Sequence, residues 1–439
     1  MNTVHILSLE ALAILALLIA VMLTDDPLNP EAEAWLEIAN NTEDVDGNGY
    51  YYLLGIAAEA SDEPEVFGRQ QLAAYREAEA VMRKDGSGVI DFSWEEPLPL
   101  PRGDAYCHNN EDGCLQRLFD NPEAIRRELE TQAILLDRYR EFIRLPAFKT
   151  LTWPNYYEAY PPYQYVSRGN RLVQLQAILD VMQGNRSGAL EALYRDIENI
   201  RRHLILADSL IYKLVLTMML ANNLELLANV YDSSIDPPMP LGLLTDDERS
   251  LHRPMIREFG MSANTLLYMN ENPRTLGEEL DIPHWMVGSA FKPHMTVNDV
   301  FRIHSSIDRL ALFPPPAFYQ HINADLPTRA PFSLRNFIGW LLGLMASSDA
   351  YSIYVARLND IDCKIALVNA VLPLTRTQWM EMMQGSTAVP AVHNPYDPAQ
   401  RPYIDAETQS LCFNGPYEDE RGHRCVKKYR VNTRQGTAM

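Results

Sequence analysis

The chain has 439 residues, 47% of them apolar and 22% charged, with a formal net charge of −20. That length supports a large hydrophobic core and about two or three domains, and that composition excludes global disorder. The acidity, with no long basic stripe, excludes a nucleic-acid binder that works by neutralising phosphates, and it leaves a hydrophobic contact as the expected membrane tie.

Ala11 to Leu23 is an unbroken apolar run that stops at Thr24-Asp25-Asp26-Pro27. Extended back to Val4 it reaches the ~20 residues needed to cross a bilayer. No Lys or Arg precedes it and Leu18-Ile19-Ala20 is a poor cleavage site. An uncleaved anchor over residues 4–23 is therefore favoured over a cleaved signal peptide. The missing basic flank leaves orientation to the cysteines.

Pro30 to Asn41 reads as a short helix with proline and acids at its start. A polar loop follows, then Tyr50 to Ala60, and a further helical stretch from Phe67 to Lys84. Phe92 to Pro101 is proline-rich and extended, a linker or a strap over the surface. Asn121-Pro122-Glu123 opens another helix, with Asn121 placed to cap it. A loop rich in Trp, Tyr and Pro runs from Trp153 to Tyr165 and reads equally as a recognition surface or as a loop packed on its own domain.

Asn185 to Tyr231 is the clearest core element. Leu190, Leu193, Ile197, Ile200 and Leu204 line one helix face. Leu210 to Leu220 is apolar on nearly every side, crossed by a stripe of Ser209, Lys213 and Thr217. Asp208 and Lys213 would be costly in lipid, so a buried helix is favoured over a membrane span. Further helices are expected near 246–257, 296–312, 333–346, 350–371 and 375–383. Gly339-x-x-x-Gly343 reads as close packing in a core. After Val389 the helical period ends, and Leu411-Cys412-Phe413 and Val426 to Val431 read as a β-hairpin. The basic cluster Arg421, Arg424, Lys427, Lys428, Arg430 and Arg434 reads as a solvated tail, with a local acidic partner as the alternative.

The expected fold is mainly α, a solenoid-like stack of helical hairpins or an orthogonal bundle, with a small disulfide-tied C-terminal β-hairpin. It divides into an anchor or signal segment (1–24), an N-terminal helical region with the strap (25–120), a main helical domain (121–389) and an extended C-terminal segment with the hairpin (390–439).

Two cysteine pairs, Cys107 with Cys114 and Cys412 with Cys425, each close a short polar loop, while Cys363 sits in an apolar stretch. This pattern fits two local disulfides and an oxidising compartment better than a zinc site, since neither pair has tight Cys-x-x-Cys spacing. Asp44, Asp46 and Asn48, with Gly49 after them, space oxygen ligands as a calcium loop does. The twelfth position is Gly55 where a bidentate Glu belongs, so a polar turn is preferred and no cofactor is assigned. His284, His294 and His304 recur in one region, and His304 and Asp308 share a helix face. They form the alternative acid/base or metal site, although no His-Glu-x-x-His motif is present. Nucleophile elbows, phosphate loops and dinucleotide fingerprints are absent.

Asn48 to Ile56 (Asn-Gly-Tyr-Tyr-Tyr-Leu-Leu-Gly-Ile) and Ala207 to Val215 (Ala-Asp-Ser-Leu-Ile-Tyr-Lys-Leu-Val) resemble stretches of an uncharacterised proteobacterial family of membrane-anchored, helical envelope proteins. The resemblance supports an envelope protein; with the apolar run and the cysteine pairs the expectation is a single-pass inner-membrane protein with its bulk in the periplasm, or a periplasmic protein if the segment is cleaved. The resemblance also implies that Asn48 to Ile56 is a packing element. It brings no activity, so no residue gains a role from it. The expected function is contact with an envelope protein partner or a role in assembly, more plausibly non-enzymatic. The alternative is an envelope hydrolase or metal-dependent enzyme using the His284–Asp308 region.

Overall fold

A computed structural model of the chain describes residues 21–85, 90–107, 109, 111, 113–234, 239–272, 283, 287, 289–322, 332–343 and 348–429. Most of the expected anchor, residues 4–20, lies outside the described residues. Residues 21–23 are helical and exposed.

The first helices follow from their caps and from two glycines. In α1 (Pro30–Asn40) the Asn29 side chain accepts the Glu31 N–H, and Pro30 opens the first turn. Helix α2 (Gly49–Leu54) is shorter than expected and folds back on α3 (Pro64–Asp85). A Cβ at Gly55 would strike the Pro64 carbonyl, and one at Gly68 the Tyr51 carbonyl. The two backbones touch there, which only glycine allows. Tyr50, Tyr51, Tyr52, Leu53 and Leu54 are all buried, so this stretch is a packing element.

The proline-rich segment is a strap. Leu98 N–H donates to the Ala57 carbonyl at 2.8 Å, Trp94 Nε1 donates to the Ala159 carbonyl at 3.1 Å, and the Trp94 ring stacks on Tyr75. Three short helices follow: α4 (Cys114–Asp120), α5 (Pro122–Thr131) and α6 (Ala133–Phe142). The Asn121 side chain caps α5 through the Ala124 N–H, as its position in the sequence suggests.

The centre of the molecule is built from α7 (Tyr163–Met182), α8 (Arg186–Leu206) and α9 (Leu210–Val230). Among the described residues, α9 is the one helix long and apolar enough to cross a membrane, and it lies largely buried against α7, α8 and α15 (Ser348–Val371). The remaining helices are α10 (Asp246–Arg249), α11 (His252–Glu271), α12 (Pro293–Ala311), α13 (Pro315–His321), α14 (Phe337–Gly343) and α16 (Arg376–Met383). A Cβ at Gly339 would collide with Thr296 and Asn336, so α14 packs tightly on α12. Helices far apart in sequence also pack together: α1 on α11, α9 on α15, α12 on α15. A solenoid joins only neighbours, so the bundle describes this chain better.

Strands β1 (Tyr403–Asp405), β2 (Ser410–Cys412) and β3 (Cys425–Val426) form an antiparallel sheet with β2 central. Leu411 faces Val426 and Cys412 faces Cys425. The hairpin is therefore present and gains a third strand. Cys107–Cys114 and Cys412–Cys425 are disulfides, and Cys363 is free and buried. Paired cysteines that close short loops are the pattern of chains that fold in an oxidising compartment. The solvated tail is corrected at two of its described residues, where Arg424 is buried and Lys428 half-buried, while Arg421 is exposed.

One apolar core draws residues from Tyr50 to Tyr429, so all three regions after the anchor contribute to it. A smaller core joins α1, α11, α12 and α14 through Ala32, Phe259, Phe301 and Ile338.

Candidate functional site

The best-furnished concavity lies where the 414–424 loop crosses α9 and α15. Three adjoining hollows of about 430, 300 and 230 Å³ share Glu420 on their walls. Helix α9 supplies Met218, Asn222 and Glu225, α15 supplies Lys364 and Asp360, and the loop supplies Asp419 and His423.

These charges hold the loop in place. Lys364 Nζ donates to Glu225 Oε2 and to the Gly422 and Cys425 carbonyls, which uses all three of its donors. Glu225 Oε1 accepts the Lys427 N–H at 3.0 Å. Arg424 Nη1 reaches both Asp360 oxygens at 3.0 and 3.1 Å, and its Nη2 donates to the Tyr417 carbonyl at 2.6 Å. Asp419 accepts the backbone N–H groups of His423 and Arg424. Burial pushes the Asp360 carboxyl up to about 6 against the pull of Arg424. Burial also pushes His423 down to about 4, so its ring is neutral at physiological pH. With Lys364 saturated and Asp360 paired, the cleft presents shape and charge instead of a free nucleophile.

Sequence reasoning missed this site, although a signal was present. The polar stripe Ser209, Lys213, Thr217 is interrupted by Ala221 and resumes in the same four-residue register at Glu225 and Asn229 on an otherwise apolar helix. Asn229 pairs with the C-terminal segment as a strand would: its Nδ2 donates to the Lys427 carbonyl at 2.8 Å and its Oδ1 accepts the Tyr429 N–H at 2.7 Å.

A second buried network joins α7, α8 and α9. Asp196 accepts Tyr139 Oη at 2.9 Å, Asn170 Nδ2 at 2.8 Å and Asn223 Nδ2 at 2.7 Å. Gln174 links this group to Asn109 and Arg171. Arg171 Nη2 then contacts the sulfurs of Cys107 and Cys114 at 3.4 and 3.2 Å. The first disulfide loop is thereby tied into the core.

The residues singled out in the sequence are placed as follows. Asn48 Oδ1 accepts two backbone N–H groups, Tyr50 at 3.1 Å and Lys149 at 2.9 Å, and its Nδ2 donates to the Lys149 carbonyl. Its oxygen is thus occupied by protein, and Asp44 Oδ1 accepts the Val45 N–H. Asp46 is exposed. His284 lies outside the described residues. His294 Nδ1 lies 3.1 Å from the Asp26 carbonyl oxygen. His304 is buried, its Nδ1 lies 2.9 Å from the Val300 carbonyl oxygen, and burial pushes it down to about 4. Asp308, which shares a helix face with His304, meets another histidine: its Oδ2 lies 2.9 Å from His252 Nδ1, because α11 packs along α12 and brings His252 to that face. Among the described residues, no group of three or more His, Cys, Asp and Glu side chains is arranged to hold a metal. In the aromatic loop, Tyr163 and Tyr165 join the core while Tyr156 and Tyr160 stay exposed.

The N-terminal corner has its own geometry. Asp25 accepts the backbone N–H groups of His294 and Met295 at the start of α12. Asp26 pairs with Arg335, and Asn298 accepts the Asn29 N–H at 2.8 Å. Next to Arg335 lie Phe332 and Leu334, exposed by 62% and 68%, and α14 exposes Phe337 and Leu341 one turn apart. No family model, curated protein or solved structure matches the chain.

Proposed function

We propose that this chain is a membrane-tethered helical protein of the bacterial envelope that acts by contact with a protein partner, its body seated on the membrane at the N-terminal corner. One observation carries the seating. The chain leaving the apolar run is clamped to α12 and Arg335 within three residues of Leu23, beside the exposed Phe332, Leu334, Phe337 and Leu341. A span ending at Leu23 would bring that face to the lipid interface, where apolar side chains gain by burial. The disulfides support an oxidising side for the body, and the resemblance supports an envelope protein. The acidic cleft around Glu420, whose groups are spent on structure, suits docking better than chemistry.

Membrane fractionation tests the reading. Removing residues 1–23 should release folded protein into the soluble fraction with weak residual binding to vesicles. Phe337→Glu with Leu341→Glu should abolish that residue of binding. A truncated chain that stays with the membrane as firmly as the full chain would overturn the tether. A photo-crosslinker at Glu420 or Arg421 should capture one reproducible protein, and no specific crosslink would overturn the docking role.

A further inference from the structure

We propose that the hollow between the starts of α8 and α16 and the C-terminal segment binds a small oxyanion of the phosphate class. It measures about 180 Å³, where a single water needs about 10–15 Å³ by the same measure. Arg186, Arg376 and Lys428 line it against a single carboxylate, Asp232. The lining is thus doubly positive in a chain whose net charge is −20.

One carboxylate leaves two of the three positive charges unbalanced. Asp232 Oδ2 meets Arg186 Nη1 at 2.8 Å, and its Oδ1 already takes the N–H and hydroxyl of Ser234 at 3.1 and 2.7 Å. Lys428 gives one donor to the Leu374 carbonyl at 2.9 Å, and an ammonium has two more. Burial, with Arg376 beside it, pushes Lys428 down to about 8. Burial and Arg186 hold Arg376 below its ordinary range. These cations repel one another in a concave site, and an anion would relieve that repulsion. The Ser233 hydroxyl on the same wall is buried and has no hydrogen-bond partner. Arg186 and Arg376 are each the first residue of their helix, so two positive helix ends also meet there. A dianion matches the excess charge, and a phosphate accepts from forked guanidinium groups and a hydroxyl together.

Titration calorimetry on the detergent-solubilised full chain tests this, using inorganic phosphate and glycerol 1-phosphate against sodium chloride at matched ionic strength. The expected result is saturable one-site binding of phosphate. Arg376→Gln and Lys428→Gln should each weaken it by about tenfold, as loss of a charge-assisted bond does. Tighter binding of the ester would identify a phosphomonoester as the ligand, and equal or weaker binding would identify the free ion; either supports the site. Phosphate heats no different from chloride would overturn it on the unaltered chain alone. Phosphate binding unchanged when Arg376→Gln and Lys428→Gln are combined would place the ion elsewhere and overturn it equally.

Discussion

Asp26 and Arg335 form an ion pair across 309 positions of sequence. Arg335 also contacts the sulfur of Met295, whose backbone N–H is held by Asp25. The pair therefore closes a clamp on the first residues after the apolar run. Both partners are part-exposed, so Arg335→Ala should cost at most about 1 kcal/mol of global stability. The local effect should be larger. Amide exchange at His294 and Met295 should accelerate roughly fivefold while α9 is unchanged. Equal acceleration in both places, read by hydrogen-exchange mass spectrometry, would contradict the clamp.

The disulfides make a countable prediction. Denatured without reductant, the chain should titrate a single thiol, Cys363, and after reduction all five cysteines. More than one thiol before reduction would remove the oxidising-compartment argument. Opening the Cys107–Cys114 loop should cost about 2–3 kcal/mol on the chain-entropy account. Arg171→Met should loosen this loop with the disulfide intact, seen as faster amide exchange there, because it removes the guanidinium tie to Asn109 and both sulfurs and leaves the Asn109–Gln174 bond as the remaining link to the Asp196 network.

Lys213 predicts a pH dependence. Its Nζ donates to the Leu204 and Ser250 carbonyls, both at 2.7 Å, and burial pushes it down to about 7 from an ordinary 10.5. Between those values the unfolded chain holds a proton that the folded chain has released. Unfolding then takes up protons, and stability rises with pH by up to ~1.4 kcal/mol per unit. Lys213→Met lacks this contribution. Denaturant melts from pH 7 to 9 should show the unaltered protein gaining on the variant. Parallel curves would mean that the ammonium stays charged in the core.

Asn48 tests whether its loop serves an ion or the fold. Its side chain caps α2 and holds Lys149 through two hydrogen bonds. Asn48→Ala should lower stability by about 1–2 kcal/mol, and millimolar calcium should leave the melting temperature of the unaltered chain unmoved. A calcium-dependent rise lost in Asp44→Asn would restore the ion-loop reading.

Much of this architecture was legible in the sequence. The helical period of Leu190 to Leu204, the Asn121 cap and both cysteine pairs are interactions between near neighbours. Spacing along the chain is enough to specify them, because a helix face, a cap and a short loop are each closed within a few residues. What the sequence could not decide is which buried charges meet. Nothing near Glu225 points to Lys364, nor near Asp360 to Arg424, nor near Asp308 to His252. Each pair is 56 to 139 residues apart and forms only when whole helices dock. Its worth depends on desolvation at the docked interface, which no local pattern encodes. The clefts have the same origin: their walls come from helices and a loop that only the tertiary structure brings together.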